Sequence, residues 1–588
     1  MVFTPPEWVA KLPPIPDHIP IADFVLDERY GRAPLGYSRD PFTCGLTGKT
    51  YSALDVVERV DFLSRALANE FDWAPNRGTE WDKVIGVFSL NTIDTLPLAW
   101  AVHRLGGLVS PANAAYSVAE LTYQLRDAKA TSLFTCLPLL KTALEAAAQA
   151  GIPRRRVYLL RLPPQIAGDA QPAEFTTVAQ LVDRGRSLPR VEKLQWAAGE
   201  GSRRTAFLCY SSGTSGLPKG VMISHRNVIA NTLQITAFEK DYRDSLRPPG
   251  VQSDVTEIAL GLLPQSHIYA LVVMCHAGPY RGDQVIVLPK FEIESFLAAV
   301  QDYRISSLFV VPPIIIAMLR NKKLLEKYNL SSVRSLFSGA APLGEETARE
   351  LQEFNPSMII RQGYGLTETA TVVTSTHPTD VLFGSSGVLL PGVEARLVDP
   401  EGNEITTLDT PGELIVRSPS VTLGYLHNEK ATRETFDKDW MRTGDEIAIR
   451  LSPSGNQHVF VVDRIKELIK VKSSSNVLQG HQVAPAELEA HLLTHPFVAD
   501  CAVIAIPDES AGEVPKAIVS KSSAAGDDDA ATIRAIQKHV EDHKARHKWL
   551  KGGVRFIDAV PKSPSGKILR RLLRDQEKEA RRKAGAKI

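Results

Sequence analysis

Residues 210–220 read Tyr-Ser-Ser-Gly-Thr-Ser-Gly-Leu-Pro-Lys-Gly, directly after the apolar run Ala-Phe-Leu-Cys at 206–209. The apolar run predicts a buried strand, and the mixed segment from Val221 predicts either a strand or a helix. Between them, Gly213, Gly216 and Gly220 let the main chain approach a ligand closely and turn its N–H groups inward. Ser211, Ser212, Thr214 and Ser215 add hydroxyl donors, and Lys219 adds a positive charge. The loop has the composition needed to hold anions; in isolation, the same composition also suits a flexible Gly/Ser surface loop. It is not a Walker loop, because Lys219 is followed by Gly220 and the glycine spacing differs, so a magnesium ion would have to be held by other residues.

At 588 residues the chain is too long for one core. About 100–200 residues per domain predicts three to five modules. A hydrophobic content of 44% and a charged content of 23% are those of an ordinary globular protein. Lys and Arg number 68 against 67 Asp and Glu, which excludes a global field directed at nucleic acid or an anionic membrane. Cys44, Cys136, Cys209, Cys275 and Cys501 are scattered and lack metal-ligand spacing, so buried, reduced thiols are expected. No basic region followed by an apolar stretch opens the chain. The most apolar segment, 308–319, is too short to span a bilayer and contains Pro312 and Pro313. An intracellular chain with no transmembrane segment and no nucleic-acid partner is expected. Residues 571–588 hold seven basic and three acidic side chains and end Ala586-Lys587-Ile588. That ending is similar to a peroxisomal address and predicts an import receptor as partner; a frayed basic tail on a cytoplasmic protein is the alternative.

From Val84 to Ile449, apolar runs at 84–88, 286–288, 307–311 and 358–360 alternate with amphipathic stretches such as 293–303. This alternation predicts layered α/β structure. Between Ile449 and Val471 the composition changes, with a turn at Leu-Ser-Pro-Ser-Gly-Asn-Gln before 459–463. A smaller module follows, with a helix at 485–493, a strand at 501–506, a helix at 531–543 and a charged helix after Ile568. Asp527, Asp528 and Asp529 predict a loop leading into the N-terminal turn of the helix, where negative charge contributes about 0.3–1 kcal/mol.

Further motifs narrow the loop's meaning. They are Leu263-Pro-Gln-Ser-His-Ile-Tyr269, Ser338-Gly-Ala-Ala-Pro-Leu-Gly344, Gln362-Gly-Tyr-Gly-Leu-Thr-Glu368, Arg442-Thr-Gly-Asp445, Asp463-Arg464-Ile-Lys466 and Pro561-Lys-Ser-Pro-Ser-Gly-Lys567. In this order they resemble the adenylate-forming superfamily of acyl-CoA synthetases, luciferases and nonribosomal adenylation domains, over about residues 20–575. The wording is most similar to 4-coumarate:CoA ligases and related acyl-CoA ligases. The resemblance implies a large N-terminal α/β region, residues 1–464, with two layered sheets and a distorted β-barrel. It also implies a small mobile α+β domain, residues 465–588, with a hinge near Lys466. A carboxylate would attack the α-phosphate of ATP to give an acyl-adenylate and pyrophosphate, and the thiol of CoA would then displace AMP.

The residue roles follow from the resemblance. Lys567 is the adenylation lysine, supplying charge to the developing pentavalent phosphate. Ser211, Ser212, Gly213, Thr214, Ser215 and Lys219 hold the β- and γ-phosphates. Asp445 accepts the ribose hydroxyls, a task its two oxygens suit, with Arg464 assisting. Gln362, Gly363 and Tyr364 lie on the adenine side, although Gly363-Tyr364-Gly365 alone would more often be a tight turn. Thr367 reaches the α-phosphate and Glu368 ligates Mg²⁺. His267 gates the acyl pocket, which Tyr269, Ala340 and Ala341 line. Nonribosomal adenylation domains generally carry an acidic residue near His267, and none occurs in 264–271, so the resemblance implies an apolar or aromatic acid in preference to an α-amino acid. Lys470 and Gln482 serve the thioester-forming conformation, and Lys290, Lys472 and Gly480 bind CoA.

The chain departs from the family between Lys472 and Gly480, where Ser473-Ser-Ser-Asn-Val-Leu-Gln479 intervenes, and His481 stands in place of the usual aromatic residue. Each doubling of loop length costs only about 0.6 kcal/mol, which predicts intact folding and adenylation. Thioester formation is the step more exposed to this change. A luciferase-like oxygenase or an enzyme loading a carrier protein are the alternative activities.

Overall fold

The computed structural model describes residues 1–168, 174–211, 218–248, 255–471, 481–508, 511–563 and 566–583. A six-stranded sheet runs in the order Val157–Leu159, Ser132–Thr135, Val84–Phe88, Leu108–Ala112, Thr205–Ser211, Lys219–Ser224. All its pairings are parallel except the last. Strands covered on both faces need near-continuous apolar sequence, and every residue of Val84–Phe88 is buried. The segment after the glycine-rich loop resolves into both alternatives, a strand through Ser224 and then the helix His225–Ser245. Ser224 starts that helix with a capping box, its hydroxyl accepting from the Asn227 N–H.

A nine-stranded sheet carries the central motifs, with parallel strands Gln284–Val287, Ile258–Gly261, Ser307–Val310, Ser335–Ser338 and Ile359–Leu366 in spatial order. The helix His225–Ser245 contacts strands of both sheets, and one hydrophobic core runs through them. A third sheet is antiparallel. Its strand Trp440–Leu451 pairs with both Gly412–Arg417 and Gln457–Arg464. This sheet stands where a distorted barrel is expected, and Val459 exchanges main-chain hydrogen bonds of 2.8 Å with Ser386 and Gly387 to join it to the nine-stranded sheet.

The remaining sheet belongs to the C-terminal module. Its order is His481–Val483, Ile469–Val471, Gly512–Lys521, Val498–Asp508, with Val554–Phe556 beside Gly512–Lys521. It has its own core, from Ile469 to Leu573. The helices Pro485–Leu493, Asp529–His543 and Arg570–Lys583 complete it, and Asp528 caps the second by accepting from the Ala531 N–H at 3.0 Å. All five cysteines are free and buried. Among the described residues no helix is long and apolar enough to cross a membrane.

Helix Val178–Arg186 crosses helix Ala53–Phe71 so closely that a Cβ on Gly185 would lie 1.8 Å from the Phe62 carbonyl oxygen. Gly185→Ala is therefore expected to destabilise the large region by about 1–3 kcal/mol. A urea midpoint equal to that of the parent would contradict this packing.

Candidate functional site

The site lies where strand ends of the large region meet the C-terminal module. Arg464 ends its strand opposite Asp445 in register, which places a guanidinium against a carboxylate that is only 4% exposed. Arg464 Nε lies 3.3 Å from Asp445 Oδ1, and the Tyr364 hydroxyl donates to Asp445 Oδ2 at 2.7 Å. Burial raises the Asp445 proton affinity, while Arg464 and Tyr364 pull it down. Two oxygens held in fixed positions can accept from a vicinal diol.

Glu368 sits in the short helical turn Thr367–Thr369, which Thr367 opens. It accepts from the Tyr425 hydroxyl at 2.9 Å and from Ser211 Oγ at 3.4 Å. Lys219 Nζ stands 4.7 Å from the Tyr425 ring centroid, so Tyr425 links the end of the anion loop to the acidic turn. Tyr425 is a site residue that the sequence reading missed. Its signal was the Leu-Gly-Tyr at 423–425, a turn zipped onto the strand after the loop by the Met222 N–H donating to the Gly424 carbonyl. Ser212, Gly213, Thr214, Ser215, Lys472 and Gly480 lie outside the described residues, as do the 473–479 insertion and Ala586-Lys587-Ile588.

Gln362 spends its side chain on Leu343, accepting from its N–H at 2.9 Å and donating to its carbonyl at 3.3 Å. It thus fixes the 338–344 loop to the strand Ile359–Leu366 and shapes the wall of the site. Gly363 is required there, because a Cβ would lie 2.3 Å from the Phe337 ring. In the fixed loop Ala340 has φ +67°, left-handed backbone that costs on the order of 1 kcal/mol or more in a non-glycine residue. Ala340 is exposed and Ala341 half-buried.

His267 accepts from the Tyr269 N–H at 3.3 Å, and burial followed by the charge of Lys567 lowers its pKa to about 4. The ring is therefore neutral at physiological pH. Tyr269 is buried, with its hydroxyl donating to the Phe337 carbonyl at 3.0 Å, and the π-helix Ala270–Ala277 follows it. Behind Phe337, a gap of about 10 Å³ is bounded by Phe238, Val273, Phe309, Val372 and Ser375. Its polar end is closed by Glu239, which accepts from Arg361 at 2.6 Å and Arg281 at 2.7 Å. Arg243 pairs with Asp283 in the same network, so its charges are spent on one another.

Lys567 arrives from the C-terminal module. Its N–H bonds to Ser563 Oγ at 3.1 Å, and Gly566, with φ +81°, packs its α-carbon so that a Cβ would meet Val311 at 3.1 Å and Pro313 at 3.3 Å. Burial and the nearby Arg464 lower the Lys567 pKa to about 8, with Asp445, Glu368 and Glu467 acting in the other direction. The module is docked by the Ala486 N–H donating to Asp463 at 2.9 Å, and by Gly344 against Ala490. Lys470 and Gln482 face each other in register on neighbouring strands, both exposed. The 473–479 insertion thus joins two strands whose pairing is in place. Lys466 is exposed between the two regions, and Lys290 lies on the surface, 2.7 Å from Glu292.

A cation carried by one module to a buried carboxylate and an acidic turn of another can stabilise charge that develops on a bound anion. Residues 37–426 match the model of the AMP-binding enzyme family and residues 487–567 that of the AMP-binding enzyme C-terminal domain; the chain belongs to this family, in its adenylate-forming acyl-CoA synthetase branch. It is 40% identical to the acyl-CoA ligase easD of Emericella nidulans, over 98% of this chain and 100% of the relative. Acyl-CoA ligase cm3C of Cordyceps militaris is 39% identical, over 98% of this chain and 90% of its own. The fold is similar to that of the anthranilate CoA ligase AuaEII in complex with anthranoyl-AMP, with a TM-score of 0.77 at 22% identity, covering 96% and 98% of the two chains.

The Lys567 cation is lost as pH rises through about 8. Adenylation kcat/KM for ATP, which reports the free enzyme, is expected to fall above that pH. Lys567→Arg should move the fall upward, since a guanidinium stays charged. A profile flat through this range in the parent enzyme would contradict a role for this charge.

Proposed function

We propose that this ATP-dependent acid:CoA ligase activates an apolar carboxylic acid, aromatic or of medium chain length, in the manner of 4-coumarate:CoA ligases. The observation that carries the reading is Lys567 standing in the electrostatic reach of Asp445, Arg464 and Glu368, and next to neutral His267. In the first step the acid's carboxylate attacks the α-phosphate of ATP and pyrophosphate leaves. Lys567 offsets the charge that develops on the pentavalent phosphate, and Lys219 with Ser211 holds the leaving end. Asp445 binds the ribose. No enzyme side chain becomes covalently attached, and the acyl-adenylate passes to the CoA thiol with release of AMP.

The substrate class is supported by the absence of an acidic residue in 264–271 and by the buried Tyr269 against Phe337; the gap behind Phe337, about 10 Å³, holds no more than a water. Mg²⁺ belongs to the same reading. Glu368 with the Ser211 hydroxyl offers only oxygen donors, which suit a hard cation that also binds phosphates. The ion would neutralise phosphate charge there. For the second step, Lys470 and Gln482 lie exposed side by side on the module, and rotation near Lys466 would bring them to the site.

Lys567→Ala is expected to slow acyl-adenylate formation by about 10²–10³, measured as pyrophosphate release, while thiolation of supplied acyl-adenylate is largely kept. The opposite pattern would sink the assignment. In the same assay, cinnamic, phenylacetic, benzoic and medium-chain fatty acids should include the best substrates, and a preference for dicarboxylates or amino acids would reject the apolar pocket.

Peroxisomal delivery through Ala586-Lys587-Ile588 completes the proposal and is supported by the terminal sequence alone. A fluorescent reporter bearing the last dozen residues should become punctate with a peroxisomal marker. A diffuse cytosolic signal would reject it.

A further inference from the structure

Four histidines gather in the C-terminal module, outside the adenylating site. His491 is in the last turn of helix Pro485–Leu493 and His495 lies just beyond it, while His539 and His543 are four apart on helix Asp529–His543. On a helix that spacing puts the rings of His539 and His543 on one face. The rings of His491 and His539 stack with centroids 4.2 Å apart and planes within 3°, and His543 stands 5.2 Å from each. His495 adds its ring 5.1 Å from that of His539.

The hydrogen bonds around three of these rings set their tautomers. His491 Nε2 faces the His539 carbonyl at 3.2 Å, and His539 Nε2 faces the His491 carbonyl at 3.3 Å and Thr494 Oγ1 at 3.0 Å. His543 Nδ1 faces the His539 carbonyl at 2.9 Å. A nitrogen opposite a carbonyl oxygen carries the proton, so the other nitrogen of each ring holds a lone pair. Outer hydrogen bonds of this kind orient the imidazoles of metal sites. One ligand atom from each of His491, His539 and His543 lies within 4.8 Å of the others. His495 differs, because its Nδ1 accepts from the Phe497 N–H at 3.2 Å.

We propose that His491, His539 and His543 form a binding site for a divalent transition metal of the zinc class, with the fourth position left to water. Imidazole nitrogens suit this class, and metal–nitrogen bonds of about 2.0–2.1 Å require the stacked His491 and His539 rings to turn out of their parallel arrangement so that both lone pairs aim at one point. The ion would clip one helix to the other. The first of these helices also carries Ala486 and Ala490, which meet Asp463 and Gly344 of the large region. The clip therefore stiffens the element by which the mobile module docks.

The test uses full-length, tag-free enzyme stripped with a chelator and titrated with Zn²⁺ by calorimetry, and with Co²⁺ by absorption. One equivalent should bind, with tetrahedral Co²⁺ bands. His491→Ala, His539→Ala and His543→Ala should each weaken binding by at least about tenfold, the effect that loss of a supporting hydrogen bond alone can have. His543 is exposed, so its variant keeps the fold. Absence of stoichiometric binding, or an affinity unchanged in His543→Ala, would overturn the site and leave the rings as interhelical packing.

Discussion

Lys567 gives up much of its hydration to stand beside Arg464, a like charge, and it does so only because Asp445, Glu368 and Glu467 are within reach. Every other arrangement at the junction serves that placement. The strand Gln457–Arg464 presents Arg464 to Asp445 on one side and Asp463 to the Ala486 N–H of the module on the other. Arg574 of the last helix pairs with buried Glu467 at 3.0 Å, so the module's end is tied to the segment just beyond the exposed Lys466. The glycine at 566 is what lets the lysine approach, since its left-handed backbone lies on Val311 and Pro313.

Behind Phe337 the balance is different. Glu239, Arg281, Arg361, Arg243 and Asp283 are all largely buried and paired. Burial alone would raise the Glu239 pKa, but the three arginines win and hold it down to about 2. Such a network costs desolvation and contributes little net stability, yet loss of one partner would strand a charge. The network leaves these charges paired with one another behind Phe337.

Much of the architecture was legible because period and apolar content are local properties. The strand at 84–88 and the helix at 485–493 lie where the residues alone put them. Segment 221 onward was ambiguous because it holds a strand and a helix separated only by the cap at Ser224. Pairings between distant segments carry no local signal. Nothing around residue 425 announces that Tyr425 will donate to Glu368, and nothing in Gln362 says that its amide will be consumed by Leu343. Motif resemblance located the positions, while hydrogen-bond partners came only from the fold.

The depressed pKa of Lys567 is also an energetic statement. A lysine whose ordinary value is about 10.4 and whose buried value is about 8 contributes a term that opposes its placement at neutral pH, and this term fades only as pH climbs from the lower value to the higher. A polyanion bound beside it would supply counter-charge and relieve that term. Ionic strength, by screening the cation, lowers the same term.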